Sequence, residues 1–224
     1  MSVLLPSYER YQGMNLRKKI QLKVCGIRDP GNLEKLCMLD PEFVGFIFYP
    51  PSLRYVGDHP DPALFEIPGP AIKKVGVFVD EELTRVREAI ELYGLEAVQL
   101  HGFESVDYCR QLSPEPVEVI KMLDPNGPDT EMERYLDFVD YFLFDSAGTG
   151  KGGTGQKFTW DLLEDMPFQA PFLLSGGIGP GDAGEIRSLN LRGLMGVDVN
   201  SRFELSPGMK DIESLKNFFI EIRK

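Results

Sequence analysis

Eight short runs rich in β-branched and aromatic residues recur along the chain, with helix-patterned segments between them, and this alternation constrains the fold more than any other feature. The runs are IQLKVCG (20–26), FVGFIF (43–48), IKKVGVFV (72–79), AVQLHG (97–102), VEVIKML (117–123), VDYFLFDS (139–146), PFLLSGG (171–177) and LMGVDVNS (194–201). Between and after them lie segments such as EELTRVREAIELYG, ESVDYCRQL, DTEMERYLDF, TWDLLEDM and DIESLKNFFIEIRK. Most of these segments repeat apolar residues at three- and four-residue spacing. Residues 58–71 are Pro-rich and only weakly helical. Strands alternating with helices imply a parallel sheet. Eight strands with a closing helix predict an α/β fold, a single-domain (β/α)8 TIM barrel, because open doubly wound sheets usually stop at about five or six strands. At 224 residues the chain sits at the small end of that architecture. The barrel is expected over residues 20–224, with residues 1–19 as an N-terminal extension outside it.

Composition removes several function classes. The net charge of −11 argues against a nucleic-acid partner, since phosphate-backbone binding needs a basic face. It leaves room for a small anionic substrate held locally by backbone N–H groups. No apolar run of about 18 residues occurs, so no membrane span is expected. The N-terminal stretch has neither the apolar core nor the cleavage site of a secretory signal. The three cysteines are odd in number and form no CxxC, which fits free thiols in a cytoplasmic, reducing setting. His59 and His101 lie far apart, so no metal-ligand spacing appears.

Polar residues gather at the C-terminal tips of the runs, the rim that carries the active site of a barrel. Strand alternation puts Lys23 and Cys25 on one face, with Lys23 a layer below. A free thiol has a pKa of about 8.5, and a neighbouring cation favours the thiolate, so Cys25 is a candidate base; the competing reading is a small apolar filler. A buried Lys23 needs a partner, and Asp198 is expected to face it when the last strand closes on the first. Asp145, after Leu143 and Phe144, is a candidate acid whose desolvation would raise its pKa, or else a loop cap. Gln99 and His101 share an inward face as supporting residues. Arg54 offers a bidentate fork for a carboxylate, or is a solvated surface arginine. The glycine-rich stretch 146–158, with Gly152 and Gly153, lacks the spacing of a nucleotide phosphate loop but suits a lid or an anion cradle. Gly176 and Gly177, together with Asn200 and Ser201, end the seventh and eighth strands, where this architecture holds phosphate.

Taken in order, KVCGI, GFIF, SLRYV, VGVFV, VQLHG, FDS, GGTGQ, SGGI and GVDVNSRFELSPGMKD resemble the phosphoribosylanthranilate isomerase family of tryptophan biosynthesis, from about residue 20 to the C-terminus. The resemblance implies an aldose–ketose isomerase that performs a cofactor-free Amadori rearrangement of N-(5-phosphoribosyl)anthranilate to 1-(2-carboxyphenylamino)-1-deoxyribulose 5-phosphate. It implies Asp145 as general acid, Cys25 as general base and Arg54 on the anthranilate carboxylate. The phosphate would be held by the backbones at Gly176–Gly177 and Asn200–Ser201, with the Gly152–Gly153 loop. A monomer or a homodimer is implied. Four positions depart from the family pattern: Ser175 replaces the usual alanine, Asn200 and Arg202 stand where serine and glycine are usual after the eighth strand, and Asp80 where asparagine is frequent. Related barrels such as indoleglycerol-phosphate synthase or sugar-phosphate epimerases depend on other groups, which the strand tips lack. A degenerate barrel acting as a metabolite sensor is disfavoured by the presence of both Cys25 and Asp145.

Overall fold

The first strand, β1, spans Gln21–Cys25 and alternates as expected: Leu22 and Val24 pack outward, while Lys23 and Cys25 face the opposite side. The computed structural model describes residues 19–125, 132–145, 160–163, 170–189 and 191–224. Seven further strands follow: β2 (Phe43–Ile47), β3 (Lys73–Phe78), β4 (Ala97–Leu100), β5 (Glu118–Leu123), β6 (Tyr141–Phe144), β7 (Phe172–Leu174) and β8 (Leu194–Val199). All pair in parallel with their chain neighbours, and β8 pairs with β1, so the sheet closes as an eight-stranded barrel.

The described helices are α1 (Pro30–Cys37), α2 (Leu83–Tyr93), α3 (Val106–Leu112), α4 (Ala183–Ser188) and α5 (Ile212–Ile222). Their starts follow capping chemistry. Asp29 accepts from Asn32 N at 2.7 Å before α1, and Asp211 accepts from Ser214 N at 3.1 Å before α5. Residues 58–71 yield only a short 3₁₀ turn, Pro62–Phe65, as their proline content suggests. Of the expected helix over 159–166, residues 160–163 are described, and they form a 3₁₀ turn, Trp160–Leu163. The one over 129–138 is described from residue 132 and turns after residue 133. After β8, a 3₁₀ turn (Ser201–Phe203) leads into a two-stranded antiparallel hairpin, β9 (Glu204–Ser206) and β10 (Met209–Lys210). That hairpin lies outside the βα period. Among the described residues no helix is long and apolar enough to cross a membrane.

Two apolar layers result. Outward-facing side chains such as Val44, Val98 and Phe172 pack against the helices, and Phe43, Val75, Ile120, Leu143 and Leu173 fill the barrel interior. Lys23 lies in that interior, fully buried, opposite Asp198 in the β1–β8 register. Its Nζ donates to Asp198 Oδ1 at 2.9 Å, the contact expected from the sequence. Burial works to lower the Lys23 pKa, but Asp198 and Cys25 outweigh it and raise it. Burial carries Asp198 upward too, against the pull of Lys23. These directions oppose one another across a single contact. The raised ammonium is the one that fits the geometry, because Nζ donates into the carboxylate.

Removing one member of this pair strands the other charge in the core. Lys23→Met should cost about 3–5 kcal/mol in urea unfolding, and Lys23→Met combined with Asp198→Leu should recover most of that. Additive losses in the double variant would show that the stability comes from something other than the pairing.

Candidate active site

The C-terminal ends of the strands open onto a cavity of about 300 Å³. Cys25, Arg54, Gln99, His101, Asp145 and Asp198 all reach its wall. Gly176, Gly177, Asn200 and Ser201 line it on the β7–β8 side. Lys23 lies beneath, paired with Asp198. Gly152 and Gly153 fall outside the described residues.

Cys25 is buried at the end of β1, directly across from Gly45 of β2. A Cβ on Gly45 would stand 2.8 Å from the Cys25 Sγ, so the glycine clears space for the sulfur. The expectation that a nearby cation favours the thiolate is only half met. Burial raises the thiol's pKa above its ordinary value, Lys23 and Lys210 pull it down, and Asp198 pushes it up. Burial prevails because the Lys23 charge is already matched by Asp198.

Asp145 follows β6 across the mouth. The Ser175 hydroxyl donates to its Oδ2 at 3.5 Å, and His101 Nε2 lies 3.7 Å from the same oxygen. Burial lowers the His101 pKa to about 4, so the ring is neutral near pH 7 and this contact is not an ion pair. Gln99 Nε2 lies 2.8 Å from His101 Nδ1. With the amide donating, Nδ1 accepts and the ring proton sits on Nε2, toward Asp145. Gln99 Oε1 is buried with no partner among the described residues. The β4 exit that carries His101 is braced from the helix side, where buried Lys121 donates to Gly102 O at 2.7 Å and to Glu104 Oε2 at 2.9 Å.

Arg54 is not a solvated surface residue. Its side chain is 14% exposed and grips Glu204 through Nε at 2.9 Å and Nη2 at 2.7 Å. Glu204 also accepts from Lys210 Nζ at 2.7 Å, and Lys210 in turn donates to Asn200 Oδ1 at 2.7 Å. The Asn200 side-chain amide is therefore tied to the hairpin, and its backbone carbonyl accepts from Phe203 N at 3.1 Å. Sequence reasoning passed over Glu204, Lys210 and the Ser175 hydroxyl. Two charged residues flanking the Ser-Pro-Gly turn at 206–208 were the available signal. Gly176 and Gly177 take φ of +85° and +66°, which non-glycine residues rarely adopt, so the backbone here turns where a side chain would resist it. The Arg202 Cβ lies 3.7 Å from where a Gly179 Cβ would stand, so its stem runs beside this loop. Among the described residues no cluster of His, Cys, Asp or Glu could hold a metal ion.

A closed (β/α)8 barrel whose rim gathers a thiol, a carboxylate, an arginine fork and a glycine turn defines a barrel enzyme built for a small polar substrate. Comparison with known proteins narrows the class. The family model described as N-(5'-phosphoribosyl)anthranilate (PRA) isomerase matches residues 22–221, and the chain belongs to that family. The N-(5'-phosphoribosyl)anthranilate isomerase of Parabacteroides distasonis is 40% identical over 205 residues, covering 90% of this chain and 92% of that protein. The crystal structure of the Thermus thermophilus phosphoribosyl anthranilate isomerase superposes with a TM-score of 0.79 at 26% identity, covering 91% of this chain and 98% of that one. A phosphoribosyl anthranilate isomerase in complex with reduced 1-(o-carboxyphenylamino)-1-deoxyribulose 5-phosphate superposes with a TM-score of 0.75 at 30% identity over the same shares.

The neutral imidazole has a direct consequence. His101 should titrate in an NMR experiment with a midpoint near 4, well below the ordinary value of about 6.5. The unfolded state then binds the extra proton between those two values, so stability is lost as pH falls through that window, and less is lost in His101→Gln. A midpoint above about 6 would contradict the buried, neutral assignment.

Proposed function

We propose that this chain catalyses the cofactor-free Amadori rearrangement of N-(5-phosphoribosyl)anthranilate to 1-(2-carboxyphenylamino)-1-deoxyribulose 5-phosphate, a step of tryptophan biosynthesis in the cytoplasm. The observation that carries the residue roles is that Cys25, at the end of β1, and Asp145, just after β6, line one cavity from different walls. A substrate held between them can lose a proton to one and gain a proton from the other.

Protonated Asp145 donates to the furanose ring oxygen. The C1'–O bond breaks, and the nitrogen lone pair forms the iminium. The Cys25 thiolate then removes the C2' proton, giving an enolamine that tautomerises to the ketone. The high pKa of a buried thiol makes its thiolate a strong base once formed, and Lys23 and Lys210 supply the nearby positive charge that favours it. Neutral His101, its Nδ1 engaged by Gln99, directs an N–H toward Asp145 and supports the carboxylate after it has given up its proton. Arg54 receives the anthranilate carboxylate. The Gly176–Gly177 and Asn200–Ser201 backbones, with the Gly152–Gly153 loop, receive the phosphate.

Residues 1–18 of the expected N-terminal extension lie outside the described residues. The chain works as a monomer or a homodimer. A related structure is of monomers generated from a dimeric phosphoribosylanthranilate isomerase of Thermotoga maritima.

The test is to mix the purified protein with freshly made phosphoribosylanthranilate and follow loss of its anthranilate-type fluorescence without added metal or cofactor. Enzyme-dependent loss is expected. Cys25→Ala and Asp145→Asn should each lower kcat by roughly 10²–10⁴ while binding of the reduced product is retained. No turnover by folded wild-type protein would return the chain to the sensor reading, and unchanged turnover in either variant would reject that residue's role.

A further inference from the structure

Arg54, Glu204 and Lys210 form a buried trio in which two cations share one carboxylate, leaving one positive charge in excess. Glu204 is 4% exposed and the Lys210 side chain not at all. The β9–β10 register sets these two opposite one another. Each Glu204 oxygen is engaged: Oε1 by Arg54 Nε, Lys210 Nζ and Gly208 N, and Oε2 by Arg54 Nε and Nη2. On Arg54 the hold is one-sided. Nε and Nη2 are taken, and among the described residues no acceptor meets Nη1. The same arginine lines the cavity. Its stem is fixed from behind as well, because a Cβ on Gly26 would stand 2.7 Å from Arg54 Cδ and 2.8 Å from Asn200 Oδ1.

We infer that Glu204 and Lys210 are positioning and specificity residues: the β9–β10 hairpin clamps one edge of the Arg54 guanidinium, aims the other edge into the mouth, and leaves the trio one carboxylate short, so that a substrate's aryl carboxylate completes it. This rests on the isomerase reading above. Neither residue need touch the substrate. An arginine held by one carboxylate keeps half its fork for a second, and a rigid fork loses less freedom when the second arrives. The excess charge gives that arrival a sign. Burial lowers the Lys210 pKa, with Arg54 adding to the effect, while Glu204 and Cys25 oppose it. A carboxylate bound at Arg54 would offset the arginine's contribution.

The experiment measures, by calorimetry, the affinity of wild type and variants for two ligands. One is the reduced 1-(2-carboxyphenylamino)-1-deoxyribulose 5-phosphate, and the other is its counterpart lacking the aryl carboxylate. Glu204→Gln should weaken the carboxylate ligand about ten- to a hundredfold while moving the other by no more than about twofold. Added to Arg54→Met, it should cost nothing further, because both act through one guanidinium. In steady state, Glu204→Gln should raise KM for phosphoribosylanthranilate more than it lowers kcat. Glu204→Asp, which keeps the charge, should recover part of the preference. Should Glu204→Gln fail to fold, Lys210→Met keeps the Arg54–Glu204 pair and removes the excess charge, and it should lose about tenfold more for the carboxylate ligand than for its counterpart. Equal losses for both ligands, or additive losses with Arg54→Met, would overturn the inference. Wild-type protein that binds neither ligand would overturn the isomerase reading and this inference with it.

Discussion

The barrel closes on a pair of charges. Lys23 of β1 and Asp198 of β8 meet in the register that joins the last strand to the first, at a depth where neither is tolerable alone. Because strand side chains alternate, this pairing also decides which residues face the interior. A slip of one residue would send Lys23 and Cys25 toward the helices and bring Leu22 and Val24 inward. Hence the interaction that holds the seam also brings Cys25 to the mouth, one layer above Lys23. It puts Asn200 at the end of the adjoining strand, beside the glycine turn that follows β7. Closure and chemistry share one constraint.

The seam also explains why the thiol does not behave as a thiol beside a lysine would in water. Lys23 favours a thiolate, yet its charge is balanced by Asp198, and burial of Cys25 outweighs what remains. A second ammonium, Lys210, approaches from the hairpin, and its charge is shared with Glu204. The thiol thus feels one ammonium balanced by its own carboxylate and a second that shares Glu204 with Arg54. Across the cavity, His101 stays neutral for the same reason of burial. Its Nε2 therefore faces Asp145 Oδ2 at 3.7 Å without bringing a competing positive charge.

Much of this was legible in the sequence, and the period of the signal shows why. Strand tips recur with each βα unit, so Cys25, Gln99, His101, Asp145, Gly176–Gly177 and Asn200–Ser201 could be placed on one rim from alternation alone. The Lys23–Asp198 contact followed from barrel closure. What escaped lies off the period. Glu204 and Lys210 belong to a hairpin inserted after β8, and their partner Arg54 sits about 150 residues earlier on the β2 loop. No local pattern links positions so far apart. Asp80 is another case: it holds φ of +51°, and its Oδ1 accepts from Phe103 N at 2.6 Å, a bond between the β3 and β4 loops that a departure from asparagine does not announce. The thiol's upward shift escaped too, because it depends on how far burial outweighs a cation already spoken for, a balance that distances decide.

Net charge is a poor guide to a site of this kind. The chain carries −11 overall, yet beside its mouth Arg54, Lys210 and Glu204 form a trio with one positive charge in excess. Surface charges are screened within about 8–10 Å at ordinary ionic strength, whereas buried ones act across low-dielectric surroundings at short range. A small substrate with two anionic ends meets chiefly the local field of the mouth. In the proposed function one end would meet the glycine turn after β7 and the other an arginine already held on one side by Glu204, so that two different anion sites would orient the sugar between the thiol and the carboxylate.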